Sequence, residues 1–305
     1  MRAVGFLVSS VVIFLAGCQV SGSSVLNRTM PLPVDVDPIT GDSWYKPGVE
    51  ATWQWQLLVP EGETLNTTDY TNVEIYDVDL FDTSAGDIAT LQVNHNVICY
   101  FSAGSYEGWR EDADDFNGDE LGSKLDGWDE RWLDIRSTNV HRIMKARLDL
   151  AEKKGCDGVE PDNMDGYIND PGFNFTARDQ LAYNRFIANE AHKRNLSVGL
   201  KNDLDQVEDL VDYYDFSVNE QCFQYNECSY LVPFITAGKP VLNAEYPEED
   251  ADLRTAAVAP DPFTDGDIDN TAVTDLCDAS NTLKFSTLVL PLSLDDSFRR
   301  TCLSY

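Results

Sequence analysis

Short apolar runs alternate with amphipathic segments from about residue 50 onward. Eight runs read as strands: "TWQWQLLV" (52–59), "NVEIYDVDLFD" (72–82), "NVICYFSAGS" (96–105), "CDGVEPD" (156–162), "LSVGLKND" (196–203), "DFSVNEQ" (215–221), "KPVLNAEY" (239–246) and "LKFSTLVLPL" (283–292). In the second, Val73 and Ile75, then Val78 and Leu80, alternate with polar residues. The third is continuously apolar, as a strand covered on both faces should be. Helical spacing puts Val140, Ile143, Met144, Leu148 and Ala151 on one face of 139–154, and Gly155 stops that helix. A second helix, 176–195, opens on a T-x-x-D cap at Thr176 and Asp179, and a third spans 204–214. Strands alternating with helices in this order predict a single-domain α/β fold, a (β/α)8 TIM barrel, over residues 51–305.

In such a barrel the active site lies at the C-terminal ends of the strands. Those ends carry Asp77, Asp79 and Asp82; Ser102, Ser105 and Glu107; Glu160 and Asp162; Lys201, Asn202 and Asp203; Asn219 and Glu220; and Glu245 and Tyr246. Carboxylates at one end of five or six strands converge on one mouth, whereas a solvated helix face would scatter them. The densest stretch is "CDGVEPDNMDGY" (156–167), with four carboxylates and no Lys or Arg. Strand alternation puts Glu160 and Asp162 on one face. Asp157 falls at the strand's start and Asp165 in the loop beyond.

Charge narrows the chemistry. The chain has 305 residues, 53 acidic against 22 basic, for a formal charge of −31. That field repels nucleic acid and attracts cationic ligands. Of the three His, His141 and His192 lie on helices and His95 precedes a strand, so a Ser-His-Asp triad and a zinc hydrolase are disfavoured. No G-x-S-x-G, G-x-G-x-x-G or P-loop pattern occurs. Paired carboxylates among aromatic residues are the equipment for cleaving a glycosidic bond. Trp53, Trp55, Trp109, Trp128, Trp132, Tyr76, Tyr100 and Tyr246 offer sugar-stacking faces, and at most one of Trp53 and Trp55 is expected inside the barrel. Two other readings stay open: a sugar-binding barrel without turnover, and a metal-dependent enzyme with Asp79, Glu160 and Asp162 as ligands. "DGDIDN" (265–270) reads as a solvated loop or a calcium loop lacking the EF-hand Gly and distal Glu.

The segments "IYDVDLFD", "VICYFSAGSYEGWR", "GWDERWLDIR", "GCDGVEPDNMDGY", "VGLKND", "FSVNEQCFQYNEC" and "GKPVLNAEY" together resemble glycoside hydrolase family 114, the endo-α-1,4-polygalactosaminidases, over about residues 50 to 295. The resemblance implies a (β/α)8 barrel that hydrolyses α-1,4-linked galactosamine polymers with retention. It places the catalytic pair on Asp162 and Glu220, with Asp162 as nucleophile and Glu220 as acid/base. Asp77, Asp79, Tyr100, Glu160, Lys201, Asn202, Glu245 and Tyr246 are the expected substrate-binding residues. Lys201 and Asn202 are expected to orient Asp162. No cofactor and no metal are implied, and a monomer is expected.

The N-terminus reads as an export signal, with Arg2 followed by "VGFLVSSVVIFLA", a run too short to span a membrane. "LAGC" resembles a lipobox, which makes Cys18 a lipidation candidate and gives a membrane anchor; an ordinary secretory signal is the alternative. Residues 19–50 read as a flexible tether. The N-x-[ST] sites at Asn27, Asn66, Asn174 and Asn195 carry no meaning if the lipobox is used. Six further cysteines in an exported chain suggest three disulfides: Cys222 with Cys228, Cys277 with Cys302, and Cys99 with Cys156. Zinc is the rival, though no C-x2-C spacing occurs.

Overall fold

The computed structural model describes residues 31–303. Eight strands, β1 (Trp53–Gln56), β2 (Ile75–Asp79), β3 (Asn96–Ser102), β4 (Gly158–Asp162), β5 (Ser197–Lys201), β6 (Phe216–Glu220), β7 (Val241–Glu245) and β8 (Ser286–Val289), lie side by side in chain order and all parallel. Each falls within one of the eight expected runs. Helices α1 (Ala85–Leu91), α2 (Thr138–Lys154), α3 (Ala177–His192), α4 (Val207–Leu210), α5 (Val232–Thr236) and α6 (Asn270–Leu283) lie on the connections. The fold is the expected (β/α)8 arrangement, with an irregular seam.

Strand alternation creates two cores. Outward residues such as Val78, Val97, Phe101, Val159, Val198 and Leu200 pack with Ile143, Met144, Leu148 and Ile187 of the helices. Inward residues, among them Trp53, Trp55, Ile75, Ile98, Phe216, Val218, Leu242 and Leu288, fill the barrel. Both Trp53 and Trp55 are inside, 1% exposed with ring centroids 5.4 Å apart. This corrects the expectation of at most one, because residues two apart on a strand share a face. Space for these rings comes from glycine. A Cβ on Gly199 would lie 2.4 Å from the Phe216 ring, and one on Gly158 2.7 Å from Ile98 Cδ1.

At the seam, the free edge of β8 pairs antiparallel with Arg300–Thr301 rather than with β1. Residues 291–302 fill the gap. Leu57 and Leu58 donate to the Leu294 carbonyl, Gln54 donates to Asp296 (2.8 Å), and Arg299 donates to the Trp53 carbonyl (2.7 Å). Cys277–Cys302 ties this segment to α6. Cys99–Cys156 joins β3 to the entry of β4, and Cys222–Cys228 closes the loop after β6. All six cysteines are therefore spent in disulfides, not zinc.

Local signals hold at the helix ends. Gly155 ends α2 with φ of 90°, and Thr176 with Asp179 forms a reciprocal capping box on α3. The expected helix over 204–214 is broken. Asp203, at φ 48°, leads into a 3-10 turn at Leu204–Gln206, and α4 runs for only four residues. The calcium reading of 265–270 is replaced by three structural roles: Asp265 pairs with Arg300, Asp267 caps at Thr264, and Asp269 caps α6.

The described part of the expected tether is docked. Trp44 stacks on His192 with centroids 4.1 Å apart and donates to Asp215 (2.9 Å). Ile39 N–H donates to Asn189 (2.8 Å), and Arg185 donates to the Val34 carbonyl (2.7 Å). Low apolar content predicts the absence of regular structure here, but Trp44 supplies a specific anchor. The expected export signal at 1–18, Cys18 and residues 19–30 lie outside the described residues.

Gly199→Ala should lower stability by about 1–3 kcal/mol through overpacking against Phe216. Urea denaturation checks this, and an unchanged midpoint would contradict the packing account.

Candidate active site

Side chains at the C-terminal ends of β4, β5 and β6 meet at one cation. Lys201 on β5 is 4% exposed. Its Nζ lies 3.0 Å from Asp162 Oδ1, 2.8 Å from Glu220 Oε2 and 3.8 Å from Glu160 Oε1. The Asp162 and Glu220 oxygens share this ammonium, so they are at most 5.8 Å apart, the sum of 3.0 and 2.8 Å. Burial alone would lower the Lys201 pKa. The charges of Asp162, Glu220 and Glu160 outweigh burial and hold it well above its ordinary value.

Each carboxylate also has a fixed donor. The Tyr100 hydroxyl donates to Asp162 Oδ2 (3.1 Å), and the Asn163 backbone N–H donates to Asp162 Oδ1 (2.7 Å). The Tyr246 hydroxyl donates to Glu220 Oε1 (2.5 Å). Burial, and the charge each phenol faces, raise both tyrosine pKa values well above normal, so both stay donors. Asn202 Oδ1 accepts the Glu220 backbone N–H (3.1 Å). Residues following these three strands take left-handed backbone: Asn163 (φ 59°), Asn202 (φ 49°), Asp203 (φ 48°) and Gln221 (φ 61°). Such strain persists where surrounding contacts over-determine it.

Beneath this set, Asp77 and Glu160 are fully buried. Burial raises both pKa values, Asp77 to about 7. Neither carboxyl meets another donor. Each also acts on the other: facing Glu160 lowers the Asp77 value, and the Asp77 charge raises that of Glu160.

The cleft above holds about 710 Å³. One wall is a three-stranded antiparallel sheet (Ser105–Glu107, Leu121–Lys124 and Glu130–Leu133) in the β3–α2 connection, which no sequence pattern announced. It brings Trp109 and Trp128 to the cleft, both more than half exposed. Arg110 anchors this wall, 2.6 Å from both Asp79 and Glu107. Arg147 backs it, 2.8 Å from Asp112 and donating to the Ser102 carbonyl (2.6 Å). The opposite side includes Tyr246, Glu249 and Leu292.

The family model for glycoside-hydrolase family GH114 matches residues 36–305. The chain belongs to glycoside-hydrolase family GH114. A solved structure of Aspergillus fumigatus Ega3 in complex with galactosamine is similar, with 40% identity and a TM-score of 0.76, covering 88% of this chain and 100% of that one. The glycoside hydrolase domain of PelA from Pseudomonas aeruginosa shares the fold, with 11% identity and a TM-score of 0.59 over 80% of this chain and 96% of that one. Comparison with curated proteins gave no match. The protein is a glycosidase of GH114.

For this GH114 enzyme, the structure brings Asp162, Glu220, Tyr100, Lys201, Asn202 and Tyr246 to the cleft. Three other expected substrate contacts are placed elsewhere. Asp77 and Glu160 lie one layer below, without exposed surface. Glu245 turns its carboxylate to the backbone N–H groups of Phe223 and Gln224 and to Asn243, holding the loop after β6. Asp79 borders the cleft, but Arg110 and the N–H groups of Phe81 and Asp82 occupy its carboxylate. The metal reading fails with it, since Asp79, Glu160 and Asp162 face Arg110, Asp77 and Lys201 respectively. Among the described residues no acid, His or Cys cluster is arranged to hold a metal ion. Trp132 and Tyr76 are core, and Trp55 lies under Lys201, 5.3 Å from ring centroid to Nζ. Asn163 and Arg110 were missed. Their chemistry lies in a backbone N–H and in a tertiary ion pair, neither of which has a local motif.

Lys201→Met should lower hydrolytic turnover by about 10²-fold or more, because Asp162 and Glu220 lose the shared ammonium that positions them in a low-dielectric site. Steady-state kinetics checks this, and near-native turnover would contradict it.

Among the carboxyls whose pKa burial raises, Asp165 is pushed to about 6, Asp77, Glu130 and Glu245 to about 7 and Asp203 to about 8. Unfolded carboxyls titrate near ~4. Between about pH 4 and 8 the folded chain holds protons that the unfolded chain has released, so stability falls as pH rises. The urea midpoint should be higher at pH 5 than at pH 8 at fixed ionic strength. The opposite slope would contradict this assignment.

Proposed function

We propose that the protein is an exported, endo-acting, retaining hydrolase of α-1,4-linked galactosamine polymers, with Asp162 as nucleophile and Glu220 as acid/base. The observation that carries this reading is the shared ammonium of Lys201. It limits the facing carboxylate oxygens to a 5.8 Å separation. Retaining pairs stand ~5–5.5 Å apart, and inverting pairs ~6.5–9.5 Å, to admit a water. In the first step Asp162 attacks the anomeric carbon while Glu220 gives its proton to the glycosidic oxygen. In the second, Glu220 takes a proton from the water that displaces Asp162. Lys201 pairs with Asp162, and Tyr100 and the Asn163 N–H orient it. Tyr246 positions Glu220.

The substrate rests on the likeness to Ega3, whose structure holds galactosamine, and on the acidity of this cleft, which suits a cationic polymer. A cleft flanked by Trp109 and Trp128 suits internal cleavage of a long chain. Three disulfides support an oxidising compartment and hence export. A lipid anchor would rest on Cys18 alone.

Asp162→Asn and Glu220→Gln should each reduce hydrolysis of an α-1,4-galactosamine oligomer by at least about 10²–10⁴-fold. NMR of the wild-type reaction should show the α-anomer forming first. Activity near wild type in either variant, or first appearance of the β-anomer, would overturn the reading.

A further inference from the structure

A second pocket of about 340 Å³ opens beside the catalytic cleft, and the two share Asp165, Asn202, Glu220 and Gln221. It lies at the mouths of β5 and β6. Its outer rim is formed by Tyr225, on the loop closed by Cys222–Cys228, and Tyr230, on the turn Cys228–Leu231 that follows, 57% and 52% exposed. Five carboxyl groups line it, those of Asp165, Asp203, Asp205, Glu220 and Glu227. No Lys or Arg does.

A buried acceptor in this wall faces no donor. Asn202 Oδ1 accepts the Glu220 backbone N–H, so Asn219 must turn its Nδ2 toward that oxygen (3.1 Å). The amide orientation is thereby fixed, and Asn219 Oδ1 is left unpartnered on a residue 1% exposed. Asp203, also 1% exposed, accepts from Asn184 through Oδ2 (2.7 Å). The Tyr167 hydroxyl sits near its other oxygen without hydrogen-bond geometry. A wall of acceptors and acids, with two rings at the rim, calls for a cationic donor carried on a sugar.

We propose that this pocket is a second amino-sugar subsite. It takes the free ammonium of a unit adjoining those cleaved between Asp162 and Glu220, and it rejects N-acetylated units. The proposal rests on the galactosamine reading above. An ammonium brings three donors and one positive charge. An acetamide is neutral, has one N–H, and would set a methyl and a carbonyl oxygen against carboxyl groups.

The test compares wild type with Asn219→Leu and with the double variant Asp205→Asn/Glu227→Gln on fully deacetylated and partly N-acetylated α-1,4-galactosamine polymers. Kinetics and mass-spectrometric sequencing of products are read together. The double variant alters only groups at the pocket's rim, so it keeps the test open if Asn219→Leu fails to fold. KM for the deacetylated polymer should rise about five- to tenfold, with a smaller change in kcat. N-acetyl units, missing from one fixed position beside the cut in wild-type products, should appear there in the variants' products. An active wild type with unchanged KM and acetyl distribution in the double variant would overturn the subsite alone. A wild type that cleaves no galactosamine polymer would overturn the substrate reading and this subsite with it.

Discussion

The Lys201 ammonium is the constraint around which the site is built. A buried, unpaired ammonium costs several kcal/mol, and three carboxylates crowded together without a cation repel one another. Asp162, Glu220 and Glu160 around Lys201 offset both penalties. The barrel's order makes this possible. β5 lies between β4 and β6, so the cation falls between the two carboxyl groups without any loop having to place it. Glu160 stands farther from the ammonium, at 3.8 Å, so the shorter ion pairs of Lys201 are directed upward, to the two residues at the cleft.

The rest of the barrel serves that placement. Gly158 and Gly199 leave room below for Ile98 and Phe216, and Trp53 and Trp55 fill the same interior, with Trp55 under the ammonium. Above it, left-handed residues after β4, β5 and β6 turn the chain sharply, so that Asn163 and Asn202 reach back to the Asp162 carboxylate and to the backbone of Glu220. The Trp109 and Trp128 wall stands on Arg110, held between Asp79 and Glu107. Asp79, which reads as a sugar ligand, thus joins Glu107 in supporting this wall of the cleft.

What was legible followed from periodicity and local chemistry. The eight strands, the Thr176 cap, the Gly155 stop and the disulfide partners are encoded within short stretches or by cysteine parity. Convergence of acids at strand ends located Asp162, Lys201 and Glu220 together. What was not legible depends on depth and on partners distant in sequence. Alternation tells which face Asp77 and Glu160 occupy, but not that the layer above seals them from the cleft. Asp79 and Glu245 have the same residue types as cleft ligands; only Arg110 and the N–H groups of Phe223 and Gln224 reveal their structural use. The wall strands of three or four residues are too short to show a period, and the docking of residues 31–50 hangs on Trp44 meeting His192 and Asp215, the latter 171 positions away in the chain.

The most direct test of the account is to trap the glycosyl-enzyme. The Glu220→Gln variant, supplied with a galactosamine glycoside bearing a good leaving group that needs no acid, is quenched and digested for peptide mass spectrometry. The account predicts a covalent galactosamine adduct on the carboxylate of Asp162. An adduct on another residue, or rapid turnover of the activated glycoside to the inverted anomer with no adduct at all, would contradict it.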